Sequence, residues 1–387
     1  MPKEPARGIS EPAAALALDS RSMEATAPAS APVEPPGAKA KVLLRRVGIA
    51  VVLIVILLIP AIVMVVATAV FTGHAEGAGT YASIPALATM AAVAAGGRDL
   101  GLRVAIVLML LGPLSIVAGA NPVSGAALMA LMCLMVGLMS RWGLHRAGLM
   151  VPVMVAWTLI SPPPWGVKPV VDRMDTTFLL WMALIFFVGG LFPVLVLPFV
   201  LRKAHLPSPK PNPRNEAIVY TIIITVLAAG GTYYMLDHPK LFGGAFFVAT
   251  VLVLAPIGEA DILKPTIVRV VATVAGSVLV ALLLAAVSSL TVLYLIGLLI
   301  GAVAIVAKFS RRPALYYILM VPTAACLNAL SVQQVGQLSD QRVIDNIVGG
   351  VLVLLASAAA IGYSRWEQKR GNSTTEEHVA AGVPATA

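Results

Sequence analysis

The sequence predicts an all-α integral membrane protein with about 12 transmembrane helices, arranged as two parallel six-helix repeats with both termini cytoplasmic. Three observations predict it. Hydrophobic residues make up 59% of the chain, only 12% is charged, and mean hydropathy is +0.92. Apolar runs recur along the chain, most of them long enough to cross a hydrocarbon layer about 30 Å thick. Lys and Arg also sort onto alternate connections between those runs.

In chain order, residues 1–40 are rich in Ala, Pro, Ser and Glu and are expected to form a disordered cytoplasmic tail. Lys39, Lys41, Arg45 and Arg46 form a basic collar before the first span, and residues 41–202 are the first six-helix repeat. That span follows a long polar stretch without a small-residue cleavage site, so it reads as retained and not as a removed signal. The expected spans are 47–71, 81–95, 102–119, 123–139, 147–160 and 176–201 in the first repeat. Residues 203–216 are a proline-rich cytoplasmic linker. The second repeat, 217–366, holds spans 217–236, 243–257, 265–287, 290–307, 314–331 and 342–364. Residues 367–387 read as a second disordered cytoplasmic tail. Spans 81–95, 147–160 and 243–257 are short and contain Pro85, Pro152 and Pro256, the pattern of helices that break or cross incompletely.

With the N-terminus inside, about 20 of the 27 Lys and Arg fall on the cytoplasmic side. Only Lys168, Arg173, Lys240 and Arg342 then lie outside. The net charge of +9 is thus a topology signal and implies a lipid bilayer, not nucleic acid, as partner. Cys133 and Cys326 lie in apolar runs and form no disulfide or metal pattern. The chain holds no phosphate-binding loop, dinucleotide fingerprint, catalytic triad or metal-ligand spacing, so neither an enzyme nor a cofactor is expected.

The two halves match in places. GGRDLGLRVAIVLMLLG at 96–112 pairs with GEADILKPTIVRVVATVAG at 258–276, bringing Asp99 onto Asp261 and Arg103 onto Arg269. Met-Val-Pro occurs at 150–152 and 320–322, and Arg173 with Asp175 stands where Arg342 with Asp345 stands later. These residues are the candidate site. Arg269, Thr273 and Gly276 share one helical face, and an arginine inside an apolar run needs a partner or a wet cavity. Arg103 and Arg269 are either positive-inside anchors that snorkel to headgroups or an anion-attracting ring at the inner mouth of a path. Asp99 and Asp261 are either solvated loop acids or proton carriers. Arg342, Asp345 and Asn346 open the last span, with Arg342 and Asp345 spaced to pair. Asn121 and Asn328 are polar residues near span ends, where most cap a helix or bond a neighbour.

Arg269-x-x-x-Thr273-x-x-Gly276 resembles the arginine helix of the fusaric acid resistance and aromatic acid exporter superfamily, and Arg342-x-x-Asp345-Asn346-x-x-Gly349 resembles its second arginine helix. The likeness is best over residues 215–365 and weak over 45–201. Ala272 stands where the family often has Gly, and the large cytoplasmic domain of bigger members has no counterpart. The resemblance implies a multi-pass protein of the bacterial inner membrane that exports small organic, often aromatic, anions using the proton gradient. It also implies a possible periplasmic adaptor. Self-association is a further expectation. Arg103, Arg173, Arg269 and Arg342 would attract the carboxylate, with Thr273 and Asn346 beside them. Asp99, Asp261 or Asp345 would carry the proton. An organic-anion channel of the same superfamily and a major facilitator-type transporter are the alternatives. The second is disfavoured by GGRDLGLR, a poor match to the facilitator loop.

Overall fold

The computed structural model describes residues 38–72, 78–162, 172–201, 211–238, 245–255, 263–309, 312–329 and 331–380. The chain divides into two units, residues 1–45 and 46–387. Within the first, residues 38–45 are described and helical. Among the described residues of the second, helices and turns account for the backbone, with no strand.

Helix α1 is Ala38–Thr72 and α2 is Ala78–Ala118. The second is two arms: Gly96 and Gly97 leave helical geometry, and Gly97 has φ 77° and ψ −169°, a region that essentially only glycine enters. This break falls between the expected spans 81–95 and 102–119. Helix α3 is Pro122–Ser140. Asn121 caps it, its Oδ1 accepting from the Val123 amide, while Pro122 occupies a first-turn position that needs no N–H. Helices α4 (His145–Gly148), α5 (Met150–Ile160), α6 (Thr176–Leu201) and α7 (Arg214–Asp237) follow. Then come α8 (Phe246–Leu254), α9 (Leu263–Ala286), α10 (Leu290–Phe309), α11 (Pro313–Asn328) and α12 (Val332–Ala380).

A helix or helical arm lies at every expected span, but among the described residues length and apolarity single out seven membrane-spanning candidates. They are Val51–Thr72, Tyr81–Ala118, Pro122–Ser140, Thr176–Val200, Arg214–Asp237, Leu263–Ala286 and Val332–Gly362. Helices α5, α10 and α11 are shorter apolar pieces. Helix α8 has nine residues, about 14 Å of rise, less than half of a bilayer core.

Boundaries differ from the sequence reading most at α12 and α7, and α1 begins at Ala38, inside the expected tail 1–40. Helix α12 begins at Val332, so Arg342 lies inside the span and not at its start. The cause is a polar but helix-competent lead-in containing Gln333, Gln334, Gln337 and Gln341. At the other end α12 runs through 367–380, assigned above to a disordered tail; no proline stands between Val332 and Pro384 to stop it. Helix α7 also starts at Arg214, inside the expected linker 203–216.

Paired glycines let the helices meet. On α6, a Cβ at Gly189 would strike the carbonyl oxygen of Ala82 and the ring of Pro85, and one at Gly190 would meet Ala105 and Thr89. On α12, a Cβ at Gly349 would meet Thr250 and the Phe247 carbonyl, and one at Gly350 would meet Thr266 and lie 3.9 Å from Leu254. So α6 packs on both arms of α2 as α12 packs on α8 and α9. Leu108, Met182, Ile185 and Phe186 are fully buried in the larger hydrophobic core. A smaller core joins Val280, Leu293, Val321, Cys326 and Val335 from α9 to α12.

Candidate functional site

Pro265 in the first turn of α9 costs no helical hydrogen bond, and the run that follows is uninterrupted by glycine until Gly276. Arg269, Thr273 and Gly276 therefore line one face. Thr273 is buried and its Oγ1 donates back to the Arg269 carbonyl at 2.9 Å. A Cβ at Gly276 would lie 2.5 Å from the Ile318 carbonyl oxygen of α11. That carbonyl has no helical N–H to accept, because the residue four ahead is Pro322. Glycine on α9 and proline on α11 thus bring the two backbones together.

Asn346 organises the cluster from α12. Its Oδ1 accepts from Arg269 Nε of α9 at 2.9 Å and from Thr250 Oγ1 of α8 at 3.1 Å. Its Nδ2 donates to the Arg342 carbonyl at 2.7 Å. Arg342 Nη1 donates to the Met320 carbonyl of α11 at 3.1 Å, and its guanidinium lies over the Phe246 ring at 4.6 Å. The Arg269 guanidinium lies 5.3 Å from the centre of the Tyr317 ring. These contacts are cation–π as well as polar. Four helices contribute, and each guanidinium rests on an aromatic face.

Asp345 is 1% exposed, and both its carboxylate oxygens are buried without a hydrogen bond. The Phe247 amide, in the first turn of α8, is placed toward it without closing one, and Arg342 is the nearby positive charge. The expected Arg342–Asp345 ion pair is thus an electrostatic neighbourhood, with no contact within 4.0 Å. Asp345 and Asn346 sit near the middle of the candidate span Val332–Gly362.

The other expected residues do not join this cluster. Arg103 and Asp99 are exposed, on the second arm of α2 and beside its break. Arg173, just before α6, donates through Nη1 to the carbonyls of Ile116 (3.1 Å) and Leu159 (3.0 Å), closing the C-terminal ends of α2 and α5. Burial pushes its pKa below the ordinary arginine value. Asp175 Oδ1 accepts from the Thr177 amide at 2.9 Å at the start of α6. Asp261 lies outside the described residues.

Sequence reasoning missed Thr250, Phe246 and Tyr317. A signal existed for the first: Thr250 is the single polar residue of α8. The aromatic pair carries no such mark in an apolar chain. Among the described residues no group of three or more His, Cys, Asp or Glu gathers as a metal site would.

Arg342 therefore stands between a second guanidinium, Arg269, and one carboxylate, Asp345, inside a bundle of apolar helices. Guanidinium grips carboxylate by two parallel hydrogen bonds, and both arginines keep donors beyond those already used. The arrangement has the chemistry of a small-anion site.

Residues 227–356 match the family model described as Fusaric acid resistance protein-like. The match runs from within α7 into α12 and includes every residue of the cluster. The resemblance drawn from Arg269 and Arg342 thus holds over this segment. No curated protein and no solved structure matches the chain.

Proposed function

We propose that the protein is a secondary transporter of the fusaric acid resistance type that exports small organic, chiefly aromatic carboxylic, acids across the bacterial inner membrane. The observation that carries this reading is the excess of positive charge at the cluster. Arg269 and Arg342 lie in membrane-spanning helices, and among the described residues Asp345 is the one acid beside them. Each arginine held at that depth costs about 2.5–3.5 kcal/mol on insertion scales. Such a cost is not offset by structure alone, since apolar residues of similar size pack as well or better. An incoming carboxylate would neutralise the surplus.

In this reading the chain is two six-helix repeats with both termini cytoplasmic. Asp345 is the coupling group, because a buried carboxylate without hydrogen bonds takes up and releases a proton with few bonds to break. A periplasmic adaptor and self-association belong to the same proposal and are tested by co-purification and by mass in lipid nanodiscs.

The test is flux of labelled 4-hydroxybenzoate in proteoliposomes, with and without an imposed pH gradient. Wild-type protein should move the acid in response to the gradient. Arg269→Ala and Arg342→Ala should lose the flux by about a hundredfold, the range for truncating one side of a buried charged contact. Downhill flux that ignores the gradient and survives Asp345→Asn would replace the exporter by a channel. Gradient-driven flux that survives both arginine substitutions would remove the cluster from the path.

A further inference from the structure

The cluster also carries information about the charge of its ligand, given that the anion-site reading above is correct. The four helices that form the cluster bring these ionisable groups to it. Helix α9 supplies Arg269, α12 supplies Arg342 and Asp345, α11 supplies Tyr316 and Tyr317, and α8 supplies no ionisable side chain. With both arginines and the acid ionised, two positive charges face one negative charge, leaving one positive charge unbalanced.

We infer that Asp345 is a specificity-determining residue that restricts the site to anions carrying a single negative charge. The reason is electrostatic. In a medium of low dielectric, net charge is costly and neutral clusters are favoured. A monoanion completes the balance. A dianion overshoots it and brings its second carboxylate against Asp345, whose oxygens have no hydrogen bond to screen them. Like-charge contact of this kind discriminates strongly between ligands that share one recognition group.

The hydrogen bonds support the same division of labour. Arg269 gives Nε to Asn346 and lies against the Tyr317 side chain, and Arg342 gives Nη1 to Met320, which leaves its remaining donors for a ligand. Among the described residues Arg342 is the one cation whose charge acts on Asp345, so no further cation is placed there to receive a second carboxylate. Asp345 is therefore a built-in competitor for the second position of any dianion.

The test uses the purified full chain in detergent micelles and isothermal titration with benzoate and with phthalate at mildly alkaline pH, where Asp345 carries its charge and both probes are fully ionised. The two probes share an aromatic ring and differ by one ionised carboxylate. Wild type should bind benzoate at least about tenfold more tightly than phthalate. Asp345→Asn should erase or invert that ratio by strengthening phthalate, and Asp345→Ser serves the same purpose where the asparagine variant does not fold. Asp345→Glu keeps the charge and should keep the preference for benzoate, which separates charge from shape. An unchanged ratio in Asp345→Asn and Asp345→Ser overturns the inference while leaving the anion site in place. Absence of binding by both probes in wild type overturns the anion site and the inference with it.

Discussion

The packing of α6 against α2 and the packing of α12 against α8 and α9 use the same device and enclose opposite chemistry. Gly189 and Gly349 each meet a backbone carbonyl region and a side chain three residues further along the facing helix: Ala82 and Pro85 in one case, Phe247 and Thr250 in the other. Gly190 and Gly350 each meet the next helix, at Ala105 and at Thr266. In that register Met182, Ile185 and Phe186 precede Gly189 by the steps that separate Arg342, Asp345 and Asn346 from Gly349. Leu108 follows Ala105 as Arg269 follows Thr266. One region fills the space with four apolar side chains, each at most 1% exposed. The other fills it with two arginines, an aspartate and an asparagine. The helix framework therefore does not require the polar residues, and their presence in one region is what the proposed anion site rests on.

The largest expected effect comes from making the apolar region resemble the polar one. Leu108→Arg would bury a guanidinium among hydrocarbon groups with no acceptor, at a cost of about 3 kcal/mol or more. Thermal unfolding in nanodiscs should show a large drop in Tm or failure to assemble. The reverse exchange sharpens the contrast. Replacing Arg269, Arg342, Asp345 and Asn346 together by Leu, Met, Ile and Phe should leave stability unchanged or raised, because apolar replacements of buried ionic groups are often neutral or stabilising. The same protein should be unable to bind benzoate.

Smaller effects follow from the glycine contacts. Gly276→Ala places a methyl group 2.5 Å from the Ile318 carbonyl and should destabilise by about 1–3 kcal/mol, the range for overpacking. Gly349→Ala meets Thr250 at 3.1 Å, a contact that yields by a small shift, so its loss should be the lesser of the two in the same unfolding assay. The smallest expected change is Thr250→Val. It removes one of two donors to Asn346 Oδ1, worth about 1 kcal/mol, and Arg269 still satisfies that oxygen.

Much of this was legible before any coordinates. Hydropathy placed a helix or helical arm at every expected span, and the break at Gly96 and Gly97 falls in the gap between two of them, because spans are written in long apolar runs. The face shared by Arg269, Thr273 and Gly276 was legible because helical spacing fixes it. The start of α12 was not: its first turns are glutamine-rich, so hydropathy placed the span at Arg342 and made a half-buried residue inside the helix look like an outer-loop charge. Matching charge with charge between the halves also misled. Arg103 and Arg173 seemed the counterparts of Arg269 and Arg342, whereas the glycine contacts set Leu108 and Met182 in those places. Arg173 instead closes two helix ends. Phe246 and Tyr317 were illegible because a ring that receives a guanidinium looks like any other aromatic until three helices converge on it.

The most direct test of the central claim is benzoate binding by the exchanged protein described above, alongside wild type, with thermal unfolding measured on the same samples. The account predicts two well-folded proteins, one that binds benzoate and one that does not. Undiminished binding by the folded exchange variant would contradict it and place the anion path elsewhere in the molecule.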